Sequence, residues 1–391
     1  MDIYTFLLSI TIIWLLIFSL LTFLKRRKGG KLNNIIDVYP FLLLIKTKYF
    51  NNAIVNAGKK KSKLWNLIGE LSIVYGLSAL FYAVFFFIKN LIAFLFPSEA
   101  GTASAVIPLI FGITFNPPLD QLIIILAVIV IAVVTHELFH GLVATSSNID
   151  LKSTGAGVVY VIPMAFVELD EASIEKANRR NKLKVYSAGS FINLLEGILF
   201  LILIITFPLI IAWGFSTAPS GVLVIATVPS SPAEIHGIHP GDAIVAIDGQ
   251  IINNITAFTN FLSKTKPNQT VVITIERDLR DFNVTLTLAK NNYTKTGFIG
   301  VSTLNYYRPY FSFIPSILQY YIYIFLAWGS VICLSLAVIN MLPIPMLDGD
   351  KFLGELLGGI KNGNLRNAIW NISRTASFLI LIINIVLSLH M

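Results

Sequence analysis

The chain is expected to be a polytopic α-helical membrane protein with about six transmembrane helices and one inserted α+β domain of soluble character. Three observations predict that class. Of 391 residues, 55% are hydrophobic and only 13% are charged, where a soluble domain has roughly a quarter of its residues charged; mean hydropathy is +0.75. Several apolar runs reach about 20 residues, the length that crosses a hydrocarbon core as a helix. Between the fourth and fifth of these runs, residues 214–315 switch to short alternating stretches separated by turn residues.

The apolar runs lie near 4–24, 67–96, 120–144, 184–213, 316–342 and 367–389. The first ends in Lys25-Arg26-Arg27-Lys28 with no small-residue cleavage site, so it reads as a retained helix and not a signal peptide. The second is long enough to tilt or to carry a re-entrant end. Residues 32–58, with the apolar run Phe41 to Ile45, are too short to span and read as an interfacial or re-entrant element without assigned chemistry. This divides the chain into an N-terminal helix with a basic segment (1–66), a membrane core (67–213), the insert (214–310) and a second core segment (311–391).

Charge sets the topology. The formal net charge of +8 does not point to nucleic acid, because the basic residues cluster beside apolar runs. Residues 25–65, 145–183 and 351–366 are rich in Lys and Arg, whereas 97–119 has neither. Alternating crossings then put the three basic loops in the cytoplasm and the N-terminus and insert outside, most simply across a prokaryotic plasma membrane. N-x-[ST] triplets at Asn254, Asn268, Asn283 and Asn292, against only Asn371 elsewhere, add to the case for an exposed insert. The single cysteine, Cys333, lies in an apolar run and excludes a disulfide framework or a Cys-based zinc site.

Chemistry concentrates in the third run, where His136-Glu137-Leu138-Phe139-His140 forms H-E-x-x-H. Two histidines at i and i+4 project from one helix face and can share one zinc ion, with Glu137 beside them as a general base toward water. Three ionisable residues within five positions of a membrane run are costly, at about 2.5–3.5 kcal/mol each or more for a charged group, so a functional reading outweighs a structural one. Zinc normally takes three protein ligands at a catalytic site. A third is offered by Asn340-Met-Leu-Pro343-Ile-Pro345-Met-Leu-Asp348-Gly349, where two prolines break the fifth run just before Asp348. Both pieces fall toward the cytoplasmic ends of their helices, at one depth.

Together, H-E-x-x-H and N-x-x-P-x-P-x-x-D-G resemble the site-2 protease family of intramembrane zinc metalloproteases, over roughly residues 120–360. That resemblance implies His136, His140 and Asp348 as ligands of one Zn2+ and Glu137 as the catalytic base. Ser187 to Asn193 resembles the family's A-G-x-x-x-N pattern. Gly189 then permits close helix approach, and Asn193 either binds substrate backbone or an oxyanion, or simply joins two helices. Gly189, Asn340, Pro343 and Pro345 are read as substrate-binding positions. Gly155 to Glu168 looks like the family's membrane-associated hairpin, a strand edge for an unwound substrate; Asp170 and Glu171 nearby read as solvated.

The insert resembles a protease-associated PDZ domain, through Ser231 to Asp242 and Ile247-Asp248-Gly249. Such domains bind peptide C-termini or extended segments at a sheet edge. By resemblance, Gly221-Val222-Leu223-Val224 is the candidate carboxylate-binding loop. His236 and His239 read as surface histidines. The function expected is a zinc-dependent endopeptidase cutting transmembrane segments of membrane-protein substrates in the bilayer, with no nucleic-acid partner. The rival is a catalytically silent scaffold or metal transporter with a partner-recruiting PDZ domain, which has no need of Glu137 directly after the first histidine.

Overall fold

The computed structural model describes residues 3–28, 35–96, 103–108, 114–115, 117–160, 162–291 and 295–389. Among them, six helices are long and apolar enough to cross a membrane. They are α1 (Ile3–Lys28), α3 (Ser62–Leu95), α4 (Leu119–Ser146), α6 (Arg179–Ile205), α10 (Leu318–Ile339) and α12 (Gly363–Ser388). α3 has 34 residues, about 50 Å at 1.5 Å per residue, so it outruns the hydrocarbon core, as its sequence suggests. The fourth expected run ends early, at Ile205. Thr206 turns the chain into the short helix α7 (Phe207–Ile210), with Pro208 in its first turn.

The chain divides into two compact units, residues 1–199 with 328–391, and residues 200–327. The second is broader than the expected insert 214–310. Phe207, Ile211, Phe215, Tyr307, Ile314 and Leu326 form one buried cluster within it, and Tyr320 packs with Leu223, Ala243 and Tyr306 in another, which groups the adjoining helix ends with the strands.

In the first unit, residues 36–47 lie within the stretch expected to be an interfacial or re-entrant element. They form a hairpin of β1 (Ile36–Tyr39) and β2 (Leu42–Thr47), which joins β3 (Leu151–Val159) and β4 (Ile162–Leu169) in an antiparallel sheet of order β1-β2-β3-β4. Helix α2 (Asn51–Lys60) follows β2. Both hairpin turns carry a left-handed residue, Phe41 (φ 61°) and Tyr160 (φ 58°). Trp14, midway along α1 and 6% exposed, donates its Nε1–H to the Tyr160 carbonyl at 2.8 Å and its ring meets Phe41. The tips of both hairpins therefore reach the middle of an apolar helix. Backbone at that depth must be paired, and the ladder pairs it everywhere except along the outer edges of β1 and β4.

Polar side chains settle the remaining irregular backbone. Asn90 on α3 donates to the Ser104 carbonyl and to Asn384 on α12, and accepts the Ser104 N–H; Ser388 accepts the Val106 N–H. This ties an extended segment to two helices within a region expected only as a loop. The short helix α11 (Asp348–Leu357) is locked to α12 by Asp350, which accepts two hydrogen bonds from Arg374 and one from Trp370.

In the second unit, the main sheet has the order β12-β5-β6-β8-β9, with β7 paired to β6. Its strands are β5 (Gly221–Thr227), β6 (Ala243–Ile247), β7 (Gln250–Ile251), β8 (Thr270–Arg277), β9 (Arg280–Thr287) and β12 (Val301–Tyr306), and a small pair, β10 (Ala289–Lys290) and β11 (Gly297–Phe298), stands apart. Helices α8 (Pro232–Ile235) and α9 (Ile255–Leu262) cover a core built from Val222, Ile244, Ile247, Phe258, Ile273 and Leu286, among others. Ser231 and Asn254 cap them through their side-chain oxygens. This is a PDZ-like arrangement.

One expectation fails here. Gly221-Val222-Leu223-Val224 is no open loop: it lies inside β5, between β12 and β6, and Val222, Leu223 and Val224 are fully buried. Its backbone is committed to the two neighbouring strands and to Gly241 and Asp242, so it cannot receive a peptide carboxylate. The sheet edge next to β5 is β12, whose Asn305 accepts the first N–H of α9 at 2.9 Å. His236 and His239 are exposed, as read from the sequence; His239 lies 3.1 Å from Arg277, which pairs with the buried Asp242. Burial is not what raises the Arg277 pKa above its usual value; the Asp242 carboxylate is. Asn292 lies outside the described residues.

Candidate metal centre

α4 brings His136 and His140 to one face, both buried. Asp348 arrives from the other side of the site through the turn 340–347. α10 stops at Ile339, and Pro343 and Pro345 have no N–H with which to extend it. The chain closes instead through turn bonds from Met341 and Leu342 and a 2.8 Å bond from the Gly349 N–H to the Asn340 carbonyl. Met346 takes the left-handed conformation at φ 81° and is 94% exposed. Gly349 sits so close to the Met341 carbonyl that a Cβ there could not be accommodated. Asp348 then opens α11 in its first turn, with its carboxylate on the histidines.

The three side chains converge. Asp348 Oδ2 lies 3.0 Å from His136 Nε2 and 3.1 Å from His140 Nε2, and the two Nε2 atoms are 3.1 Å apart. For bond lengths near 2.0–2.1 Å, ligand atoms of a tetrahedral zinc lie about 3.3 Å from one another, so this triangle has nearly the right size. The hydrogen-bond chemistry also fits a cation. His140 Nδ1 is 2.6 Å from the Val185 carbonyl, which can only accept, so Nδ1 carries the hydrogen. In the neutral ring, Nε2 then presents a lone pair to the lone pairs of Asp348, a repulsion that a cation between them removes. Lys184, next to Val185 and 6% exposed, pairs with Glu70 of α3 at 2.9 Å and steadies that stretch of α6.

Asn193 and Gly189 complete the wall. Asn193 is fully buried, its amide nitrogen as placed is 3.0 Å from His136 Nδ1, and its oxygen has no partner. If His136 ligates through Nε2, Nδ1 bears the hydrogen and needs an acceptor. Exchanging the amide's O and N satisfies His136 and puts the –NH2 group where the unpartnered oxygen now lies. Gly189 lies against both imidazoles: a Cβ there would be 2.6 Å from His136 Nε2 and closer still to His140 Nε2. Only glycine leaves room at this point.

These groups open on a cavity of about 690 Å3, lined also by Met164, Val167, Asn340 and Lys351. Glu137 is in it, with Oε2 accepting the Val167 N–H at 2.9 Å. Pro343 and Pro345 are not among its lining residues; their place is in the turn that delivers Asp348. Asp170 caps α5 (Glu171–Lys176), and Glu171 lines the cavity rim.

Residues 124–384 match peptidase family M50. The chain belongs to that family. An uncharacterized protein of Methanocaldococcus jannaschii is 28% identical to this M50 chain over 86% of its length and 81% of the relative's. A membrane-bound transcription factor site-2 protease homolog of Arabidopsis thaliana is 26% identical over 52% of the chain, and that match spans 39% of the plant protein. Among solved structures, the PDZ domain of an SdrC-like protein from Listeria innocua is 28% identical. It covers 21% of this chain and 92% of its own, with a TM-score of 0.20. The corresponding domain from Listeria monocytogenes is 25% identical over 22% and 87%, also with a TM-score of 0.20.

Membership makes this M50 chain a membrane metallopeptidase, and the His136–His140–Asp348 cluster is where its residues could hold the metal. Several participants escape sequence reading. The Val185 carbonyl and Val167 N–H are backbone groups that no residue type marks. Lys351, three residues after Asp348 on α11, could have been found from helical spacing; its Nζ lies 6.0 Å from the Tyr186 ring centre. Glu196, one turn beyond Asn193, meets the buried Cys333 thiol at 3.7 Å.

Proposed function

We propose that this chain is a zinc-dependent intramembrane endopeptidase that cleaves peptide bonds in transmembrane segments of membrane proteins. The observation that carries the reading is the 3.0–3.1 Å triangle of His136, His140 and Asp348, facing a cavity with Glu137. His136, His140 and Asp348 would hold the zinc ion, which would supply Lewis-acid polarisation of a carbonyl and of water. Glu137 takes the proton from the attacking water and delivers it to the leaving amine. Asn193 orients His136 and, with its amide exchanged, aims an N–H at the substrate carbonyl. Val185 fixes the His140 tautomer.

A helical substrate hides its peptide bonds, so it must unwind before it can be cut. β4, an edge strand lining the cavity, offers backbone groups to an extended segment. The basic loops favour a site on the cytoplasmic side and a PDZ-like unit outside. In that unit the edge of β12 beside α9 suits an extended peptide or C-terminus, a means of screening substrates. The partners are then membrane proteins within the surrounding bilayer.

The test is reconstitution. The purified chain with zinc in proteoliposomes, given a labelled single-pass substrate, is expected to yield fragments whose new termini map within the transmembrane segment. Fragments arising only from soluble regions, or equal cleavage after chelation, would overturn the proposal.

A further inference from the structure

Glu137 does not hang free in the cavity; it is bonded to the edge of the hairpin. In the register of β3 and β4, Val159 lies opposite Ile162 and Val158 opposite Pro163. Hydrogen-bonded and non-hydrogen-bonded positions alternate along an antiparallel pair, and Pro163, which has no N–H, falls in the non-bonded set. Ile162, Met164, Phe166 and Glu168 thus turn their backbone groups to β3, whereas Pro163, Ala165 and Val167 turn theirs outward. The Val167–Glu137 bond has the same parity, and β4 has no strand on its outer side.

The three outward positions are not equivalent. Pro163 has no N–H to give, and the Val167 N–H is taken by Glu137, which among the described residues leaves Ala165 with both groups open. An unpaired N–H at membrane depth is costly, and a carboxylate is the strongest acceptor it could find there. The bond uses one carboxylate oxygen and leaves the other for water.

We propose that the Val167 backbone N–H is a positioning group for the catalytic base, holding Glu137 so that its second oxygen faces the His136–His140–Asp348 triangle. This rests on the reading of Glu137 as the base. It makes the hairpin part of the reaction apparatus and not only a surface for substrate. It also sets a register: an extended segment added to β4 pairs through Ala165 and stops short of Val167, where the base begins.

Val167→Pro removes this one donor and leaves the β3 ladder untouched, since proline is tolerated where a strand's N–H points off the edge. The expected result is kcat lower by about 10- to 100-fold, the size of loss that misplacing a reacting group by about 1 Å produces, with zinc content and KM unchanged. Wild-type kcat in that variant would overturn the proposal. A second measurement needs neither that variant nor cleavage. Amide exchange across residues 162–169 should show the Val167 amide protected in the wild type and in Glu137→Gln, which keeps an acceptor, and unprotected in Glu137→Ala. Equal exchange in all three sinks the proposal. A wild-type chain that cleaves nothing would instead defeat the endopeptidase reading, and the exchange comparison would still decide the bond.

Discussion

The Asn193 amide lies 3.0 Å from Nδ1 of His136, on the far side of the ring from Asp348. A metal-facing Nε2 requires a hydrogen on Nδ1, and Asn193 holds the ring in that tautomer when its amide turns its oxygen, and not its nitrogen, to Nδ1. Losing such a partner costs about 10- to 100-fold in metal affinity. Asn193→Ala should weaken zinc binding by that factor in competition with a calibrated chelator, and Asn193→Asp, which keeps an acceptor, should restore most of it. Wild-type affinity in the alanine variant would remove Asn193 from the site.

Gly189 tests the space itself. Because a Cβ would press on both imidazoles, Gly189→Ala should drop zinc content well below one ion per chain while helix content, followed by circular dichroism, stays unchanged. Full zinc loading in the folded variant would show that the histidines are not where the metal binds.

Metal removal should be visible as lost stability. A ligand at about a thousand times its Kd stabilises the folded state by about 4 kcal/mol. Chelation should lower the Tm of the wild type and leave that of Asp348→Ala unchanged. Equal shifts in the two proteins would mean that Asp348 is not a ligand.

The hairpin carries a pH dependence of defined sign. The hydrogen bond from Lys152 (2.7 Å), then that from Ser153 (2.6 Å), holds the Glu168 carboxyl below its ordinary value of 4.5. A depressed carboxylate stabilises the folded form above its ordinary pKa, and that contribution disappears as pH falls through the depressed value. Amide exchange in β3 and β4, corrected for intrinsic rates, should therefore quicken below pH 4.5 in the wild type. Lys152→Ala should flatten the dependence.

Much of this molecule is readable in its residues. Six helices follow from apolar runs bounded by charge, and the site follows from the i, i+4 spacing of His136 and His140 with a proline-broken helix before Asp348. The β1–β2 hairpin is not readable: Leu42 to Ile45 is apolar without alternation, and its partner β3 begins at Leu151, about a hundred residues further along the chain. Local pattern carries no register for a pairing that distant. The carboxylate-binding loop misleads for a related reason. Gly221 to Val224 has the composition of such a loop, but which strand lies at the edge of a sheet depends on the whole topology, and here β5 is interior with β12 at the edge beside it. Val167 and Val185 act through backbone atoms, and their valine side chains give no sign of it.

Glu137 provides the most direct test of the central claim, because it should matter to the chemistry and not to the metal. Purified Glu137→Gln, in proteoliposomes with a labelled transmembrane substrate, is predicted to hold one zinc per chain, to retain the uncut substrate, and to produce no fragments where the wild type produces them. Cleavage by the zinc-loaded Glu137→Gln chain at the wild-type rate would contradict the account.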